Sequence, residues 1–110
     1  MPKTYTVFLT QDAMDDLKTV HDYLFDHESP GRADYVIGKI EKTFKTLARF
    51  PERGPYPLEL AEVGIKEYRE VFFKPYRIIY RVQNNKVYVM MIADGRRDMQ
   101  TMLLRRLLNS

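Results

Sequence analysis

Apolar residues recur at three different spacings along this chain, and each spacing marks a different local structure. Residues 4–9 alternate, with Tyr5, Val7 and Leu9 on one side, which predicts a short strand. Thr10 is placed to cap a helix whose first turn holds Gln11 and Asp12, where a carboxylate meets the positive end of the helix dipole. Ala13, Leu17, Val20 and Leu24 follow at helical spacing, while Asp12, Asp15, Asp16 and Asp22 read as a solvated face. Ser29-Pro30-Gly31 interrupts the pattern, with Ser29 as the cap of a second helix and Pro30 at its first position. The apolar stripe of that helix is Ala33, Val36, Ile37, Ile40, Phe44 and Leu47. Gly38 inside it costs about 1 kcal/mol relative to Ala, which predicts a close helix–helix approach there. The short connection makes the two helices an antiparallel pair.

Pro51, Gly54, Pro55 and Pro57 predict an irregular connection ending near Gly64. Beyond it the period falls to two. Residues 65–73, 76–82 and 86–93 form three strand-like runs, separated by Lys74-Pro75 and Gln83-Asn84-Asn85. The third run is apolar on both faces and belongs in the middle of a sheet. Met99, Met102, Leu103 and Leu107 return to helical spacing and predict a short terminal helix. The order β-α-α-β-β-β-α gives an α+β fold in one domain spanning residues 1–110. It consists of an about four-stranded, mainly antiparallel sheet, a helical hairpin packed on one face and the short C-terminal helix. The other face is left open.

The middle run reads Tyr76-Arg77-Ile78-Ile79-Tyr80-Arg81-Val82. Alternation sets Arg77, Ile79 and Arg81 on one face and Tyr76, Ile78, Tyr80 and Val82 on the other. Guanidinium groups stay charged at ordinary pH and are costly to bury unpaired, so the arginines are expected on the open face. Their forked donors suit phosphate or carboxylate. The competing expectation is that Arg77 and Arg81 pair across strands with Glu67 or Glu70, while Arg96 and Arg97 outnumber the local acids.

Charge sharpens this picture. Residues 1–73 carry 10 Lys and Arg against 13 Asp and Glu, and residues 74–110 carry 8 against 2, so net charges of −3 and +6 combine into the overall +3. Such a division implies a basic face for an anionic partner, either nucleic acid or an acidic protein segment. A chain of 110 residues with 45% apolar and 13% aromatic content supplies one core. It has no cysteine, which excludes disulfides and thiolate metal sites and makes a reducing compartment the default. The opening residues show no signal-peptide run and no apolar stretch nears the roughly 20 residues of a membrane span, so a cytoplasmic location without membrane contact is expected.

The catalytic inventory is thin. His21 and His27 lack a spacing partner for metal, and there is no nucleophile elbow, P-loop or Gly-rich dinucleotide turn. No metal and no cofactor is expected.

Three blocks carry a resemblance: Gly64-Ile65-Lys66-Glu67-Tyr68-Arg69-Glu70-Val71, the Tyr76–Val82 run above, and Ile92-Ala93-Asp94-Gly95-Arg96-Arg97-Asp98. In this order, after a helical hairpin and a Pro/Gly linker, they resemble the RelE/ParE toxin superfamily over nearly the whole chain. The resemblance implies a type II toxin from a toxin–antitoxin (plasmid stabilisation) system, neutralised by a cognate antitoxin that wraps it. In the RelE-like branch, ribosome-dependent cleavage of messenger RNA would engage Arg69, Arg77 and Arg97 around the scissile phosphate. Two positions depart from that set. Val71 stands at a second basic strand position, and the C-terminal tyrosine position falls near Leu103. The ParE-like branch, whose members act on DNA gyrase without that set, is the more similar, although Asp94 stands where a histidine commonly precedes Gly-Arg-Arg. A basic nucleic-acid-binding module without toxicity is the third reading. On the ParE-like reading, Arg69, Arg77, Arg81, Arg96 and Arg97 contact the target. Leu9, Val20 and Leu24, with Leu104 and Leu108, supply more apolar surface than one small core needs, and part of it is expected to form a groove for an extended or helical antitoxin segment.

Overall fold

A computed structural model describes residues 4–108. The elements run β1 (Thr6–Leu9), α1 (Gln11–His27), α2 (Pro30–Lys45), a 3-10 turn (Thr46–Ala48), α3 (Leu58–Ala61), β2 (Arg69–Phe73), β3 (Tyr76–Gln83), β4 (Lys86–Asp94) and α4 (Met99–Leu108). The sheet order is β1-β4-β3-β2. β2, β3 and β4 form an antiparallel meander, and β1 joins β4 in parallel with Val7 beside Val87 and Leu9 beside Val89. The result is an α+β fold on a mixed sheet, with β4 inside it as its two-sided apolar pattern requires.

Both expected caps form. The Thr10 hydroxyl accepts from Ala13 N at 3.1 Å and the Ser29 hydroxyl from Arg32 N at 3.0 Å. Ala13, Leu24, Ala33, Val36, Ile40 and Phe44 bring the hairpin onto Tyr76, Ile78, Tyr80, Val87, Val89 and Ile92, the first core. Gly38 does not mark a helix–helix approach. It is exposed, and an added Cβ would meet nothing within 4 Å.

The second face is covered over much of its area, which corrects the expectation of an open face. Leu60 of α3 with Met99 and Leu103 of α4 closes over Ile79, Met91 and Ala93, a second core that also takes in Tyr68. The linker was expected to be irregular throughout, but it contains α3, whose four residues are too few to show a helical period. Residues 65–68 are likewise not strand, and β2 begins at Arg69.

β4 is apolar on both sides because Val87, Val89 and Ile92 face the first core and Met91 and Ala93 the second, and a register shift adds to the pattern. Tyr80 pairs with Val89 and Ile79 with Met91, so Met90 is an extra residue in β4. β1 ends beside Val89, and the remainder of β4 has no strand on that side. Side chains cover this edge. Asp16 Oδ2 accepts from Ile92 N at 2.9 Å, and Arg106 Nη1 donates to Met90 O at 2.8 Å. The two residues are joined by a fork, Nη1 and Nη2 donating to the Asp16 oxygens at 2.8 and 2.9 Å. Asp16 therefore does not belong to a solvated face; it ties α1, β4 and α4 together. Among the described residues no helix is long and apolar enough to cross a membrane.

Candidate functional site

The five arginines singled out by sequence occupy three different situations. Arg77 projects from β3 onto the second face, as alternation requires, but a clamp meets it there. Nε donates to Glu70 Oε1 at 2.7 Å, and Nη1 and Nη2 donate to the two Glu59 oxygens, each at 2.7 Å. Its side chain retains 13% exposure. The expectation of an exposed, gripping Arg77 is thus corrected. The cross-strand pairing with Glu70 is real, and α3 adds a second carboxylate. Gly95 is part of this arrangement. A Cβ there would lie 2.6 Å from Arg77 Cδ and 3.2 Å from Pro75 O, so the Gly95-Arg96-Arg97 turn passes beside the clamped stem only as glycine.

One guanidinium cannot neutralise two carboxylates. Arg77 holds the Glu59 carboxyl below the ordinary carboxylate range through the forked bond. Burial pushes Glu70 above that range despite its own bond to Arg77, and the Glu59 charge adds to the push. The same hydrogen bonds, Glu59 first, raise Arg77.

Arg69 is committed to the linker. Nη1 donates to Gly54 O at 2.9 Å, Nη2 to the Tyr56 hydroxyl at 3.3 Å, and the guanidinium lies 4.6 Å from the Tyr56 ring centroid. Tyr80 completes the attachment, its hydroxyl accepting from Gly54 N at 3.2 Å.

The pair Arg96-Arg97 divides its roles. Asp94 accepts from Arg96 N at 2.9 Å, from Nε at 3.0 Å and from Nη2 at 2.6 Å, and so supplies Arg96 with a counter-ion. Those bonds, the side-chain ones foremost, hold Asp94 below the ordinary carboxylate range. Arg97 and Arg105 are exposed, and their side chains make no hydrogen bond or ion pair within the described residues. Both line a shallow recess of about 420 Å³ with Asp12, Met91, Met102 and Arg106. Arg81 is half-buried and likewise free.

A larger cleft of about 510 Å³ opens between α1, the end of β4 and the Gly95 turn. Val20, Leu24, Ile92, Ala93 and Met102 supply its apolar lining, and Asp16, Glu28 and Asp94 line it as well. Arg97 is the cation at its margin that no carboxylate occupies, since Arg96 is paired with Asp94. Burial raises the Tyr76 phenol in its wall, so that group stays neutral at physiological pH. The five leucine and valine positions offered for an antitoxin groove do not all share one place. Leu24 is 4% exposed within the first core and Leu9 packs against it, whereas Leu104 and Leu108 are exposed on α4, on the other side of the sheet. Val20 and Leu24 contribute to the cleft. Among the described residues no group of three or more His, Cys, Asp or Glu is placed to hold a metal.

Residues 7–99 match the family described as the ParE toxin of the type II toxin–antitoxin system parDE. The chain belongs to the ParE toxin family. It is a toxin of a type II toxin–antitoxin system. Among solved structures it is similar to the chromosomal ParDE system from P. aeruginosa, with a TM-score of 0.70 and 17% identity over 84% of this chain and 97% of that one. It is also similar to the RelBE2 toxin–antitoxin complex from Mycobacterium tuberculosis, with a TM-score of 0.57 and 22% identity over 83% and 98%. At those identities the likeness shows the shared fold. No curated protein sequence matches the toxin.

The two departures from the ribonuclease pattern are core positions in this toxin. Val71 faces the hairpin in the first core, and Leu103 is 1% exposed in the second. Sequence reasoning missed Glu59, Asp16 and Tyr56 as partners of the basic residues. Asp16 carried a readable sign, since it lies one position from the Ala13–Leu17–Val20 stripe. Glu59 carried none.

Proposed function

We propose that the toxin acts as a ParE-like inhibitor of DNA gyrase, binding the enzyme and stabilising its cleaved complex with DNA, with no chemistry of its own. The observation that supports this reading is the clamp on Arg77. Cleavage of RNA by a ribose hydroxyl needs a group to activate it, a cation on the phosphate and a donor for the leaving oxygen. Here Arg77 is occupied by Glu59 and Glu70, Arg69 by the linker, and position 103 by a core leucine. Arg97 and Arg105 keep free forked donors and are the residues suited to contact a target. Arg81 is equally free, while Arg96 reaches a target only in exchange for Asp94.

A cognate antitoxin is the second partner, as the two toxin–antitoxin complexes of the same fold suggest. Its segment would bring apolar side chains to Val20, Leu24 and Met102, and a carboxylate to Arg97. The cytoplasm is where such a target and partner reside.

The test uses purified toxin with gyrase and supercoiled plasmid. Linear DNA released by denaturant, rising with toxin, is the expected result. Message cleaved at the decoding site of programmed ribosomes, with gyrase unaffected, would replace this reading with the endoribonuclease one.

A further inference from the structure

On the face that α4 partly covers, two transverse rows at the β3–β4 hairpin end lie outside the second core, four of their six residues exposed and Tyr88 and Arg81 half-buried. Register aligns Thr6, Lys86 and Gln83 in the outer row and Phe8, Tyr88 and Arg81 in the next. Their sequence neighbours Val7, Leu9, Val87, Val89, Tyr80 and Val82 point into the first core, so these six side chains stand on the opposite face. Phe8 is 41% exposed and its ring stacks on Tyr88, with centroids 5.6 Å apart and planes 21° from parallel. Beside Tyr88 is Arg81, whose guanidinium has no hydrogen-bond or ion-pair partner among the described residues. Lys86 is exposed one row away, and none of the six residues is acidic.

The ordinary role of such an aromatic pair is to strengthen the β1–β4 contact. That role does not require Phe8 to keep its outer surface in water, nor an unpaired guanidinium to stand next to the stack. We propose that this patch is a binding platform for single-stranded nucleic acid. Two stacked rings offer a π surface that any nucleobase can extend, and a sheet surface is a rigid place to display it. Arg81 and Lys86 supply phosphate contacts, and the lack of carboxylates in both rows lets a polyanion approach without repulsion. An acidic peptide would use the two cations but would leave the stacked rings unexplained. The platform goes beyond the gyrase reading and does not depend on it, because binding is measured with no target protein present.

The experiment titrates the full toxin into fluorescein-labelled oligo-dT and oligo-rU of about 12 nucleotides, a length within the usual site size. An abasic strand of equal length and charge is the comparison. The base-bearing strands are expected to bind about tenfold more tightly than the abasic one, since stacking on aromatic side chains depends on the bases. Tyrosine emission should be quenched as they bind, and the chain has no tryptophan to mask it. Phe8→Leu should weaken binding about fivefold, and Arg81→Gln should also lower the salt slope by about 1. If Phe8→Leu fails to fold, Arg81→Gln with an unchanged circular dichroism spectrum decides the matter. A preference for either sugar supports the platform and identifies DNA or RNA as its source. Equal affinity for abasic and base-bearing strands would overturn it. So would parent-like binding by Arg81→Gln, or displacement by polyglutamate as effective as by the oligonucleotides.

Discussion

Arg77 faces two carboxylates with one positive charge, and their surroundings decide which of them is the harder to ionise. Glu59 takes the fork and is depressed; Glu70, 5% exposed, carries the excess and is raised. The signs give a pH prediction. As pH falls through the window between the raised Glu70 value and the ordinary Glu value of about 4.3, the native state takes up a proton before the unfolded one, so stability rises. Below that window Glu59 titrates with the opposite sign, and its contribution is lost as pH falls through its depressed value. Thermal midpoints of the parent and Glu70→Gln, measured from pH 8 to 4, should therefore differ increasingly in the parent's favour. A constant difference would mean that Glu70 is not raised. Arg77→Ala leaves buried Glu70 unpaired and should cost about 3 kcal/mol. Arg97→Ala should stay within about 0.5 kcal/mol of the parent while abolishing toxicity, with Arg97→Lys restoring part of it. Chemical denaturation and growth assays separate these outcomes. A folded Arg97→Ala toxin that kills like the parent would remove Arg97 from the target contact. The side on which Arg77 falls was legible from alternation. Its principal partner was not, because Glu59 comes from a single helical turn inside a Pro-rich linker.

Elements with long stripes or a capping hydroxyl could be read from sequence, as Thr10 and Ser29 show. The pairing of β1 could not, because a parallel partner is selected by the crossover through the hairpin and leaves no local mark. Nor could the extra residue Met90, although β4's two-sided apolar pattern follows partly from it. Both features create the uncovered edge of β4 that Asp16 and Arg106 close. Removing the carboxylate with Asp16→Ala should cost about 2 kcal/mol, as expected for hydrogen bonds to charged groups. It should also speed amide exchange at Ile92, while Val87 and Val89, deep in the first core, keep their protection. Uniform acceleration across β4 would show instead that the strand opens as one unit, with no separate role for Asp16.

Across the whole molecule, the charge division read from sequence is largely neutralised at some sites and left free at others. Arg77, Arg96 and Arg106 are paired, whereas Arg81, Arg97 and Arg105 are not, and these face at least two different surroundings. The fold class was legible because element order and period are properties of long segments. The expectation of a wholly open basic face failed because α3 and α4 cover that side except at the β3–β4 hairpin end, and covering depends on packing at a distance. The cleft on the α1 side should bind an acidic, apolar antitoxin segment. Calorimetry with the C-terminal part of the neighbouring gene's product should show stabilisation of about 2.7 kcal/mol at a hundredfold excess over Kd. An unchanged midpoint would mean that this segment does not bind the toxin.

The central claim is that the toxin stops replication through gyrase and cleaves no message. Pulse labelling with thymidine and with methionine, after expression without its partner, tests this most directly. Thymidine incorporation should fall first, with protein synthesis continuing through the same interval. An early collapse of methionine incorporation, with cleaved messages on ribosomes, would contradict the claim and would require Arg77 to leave its clamp.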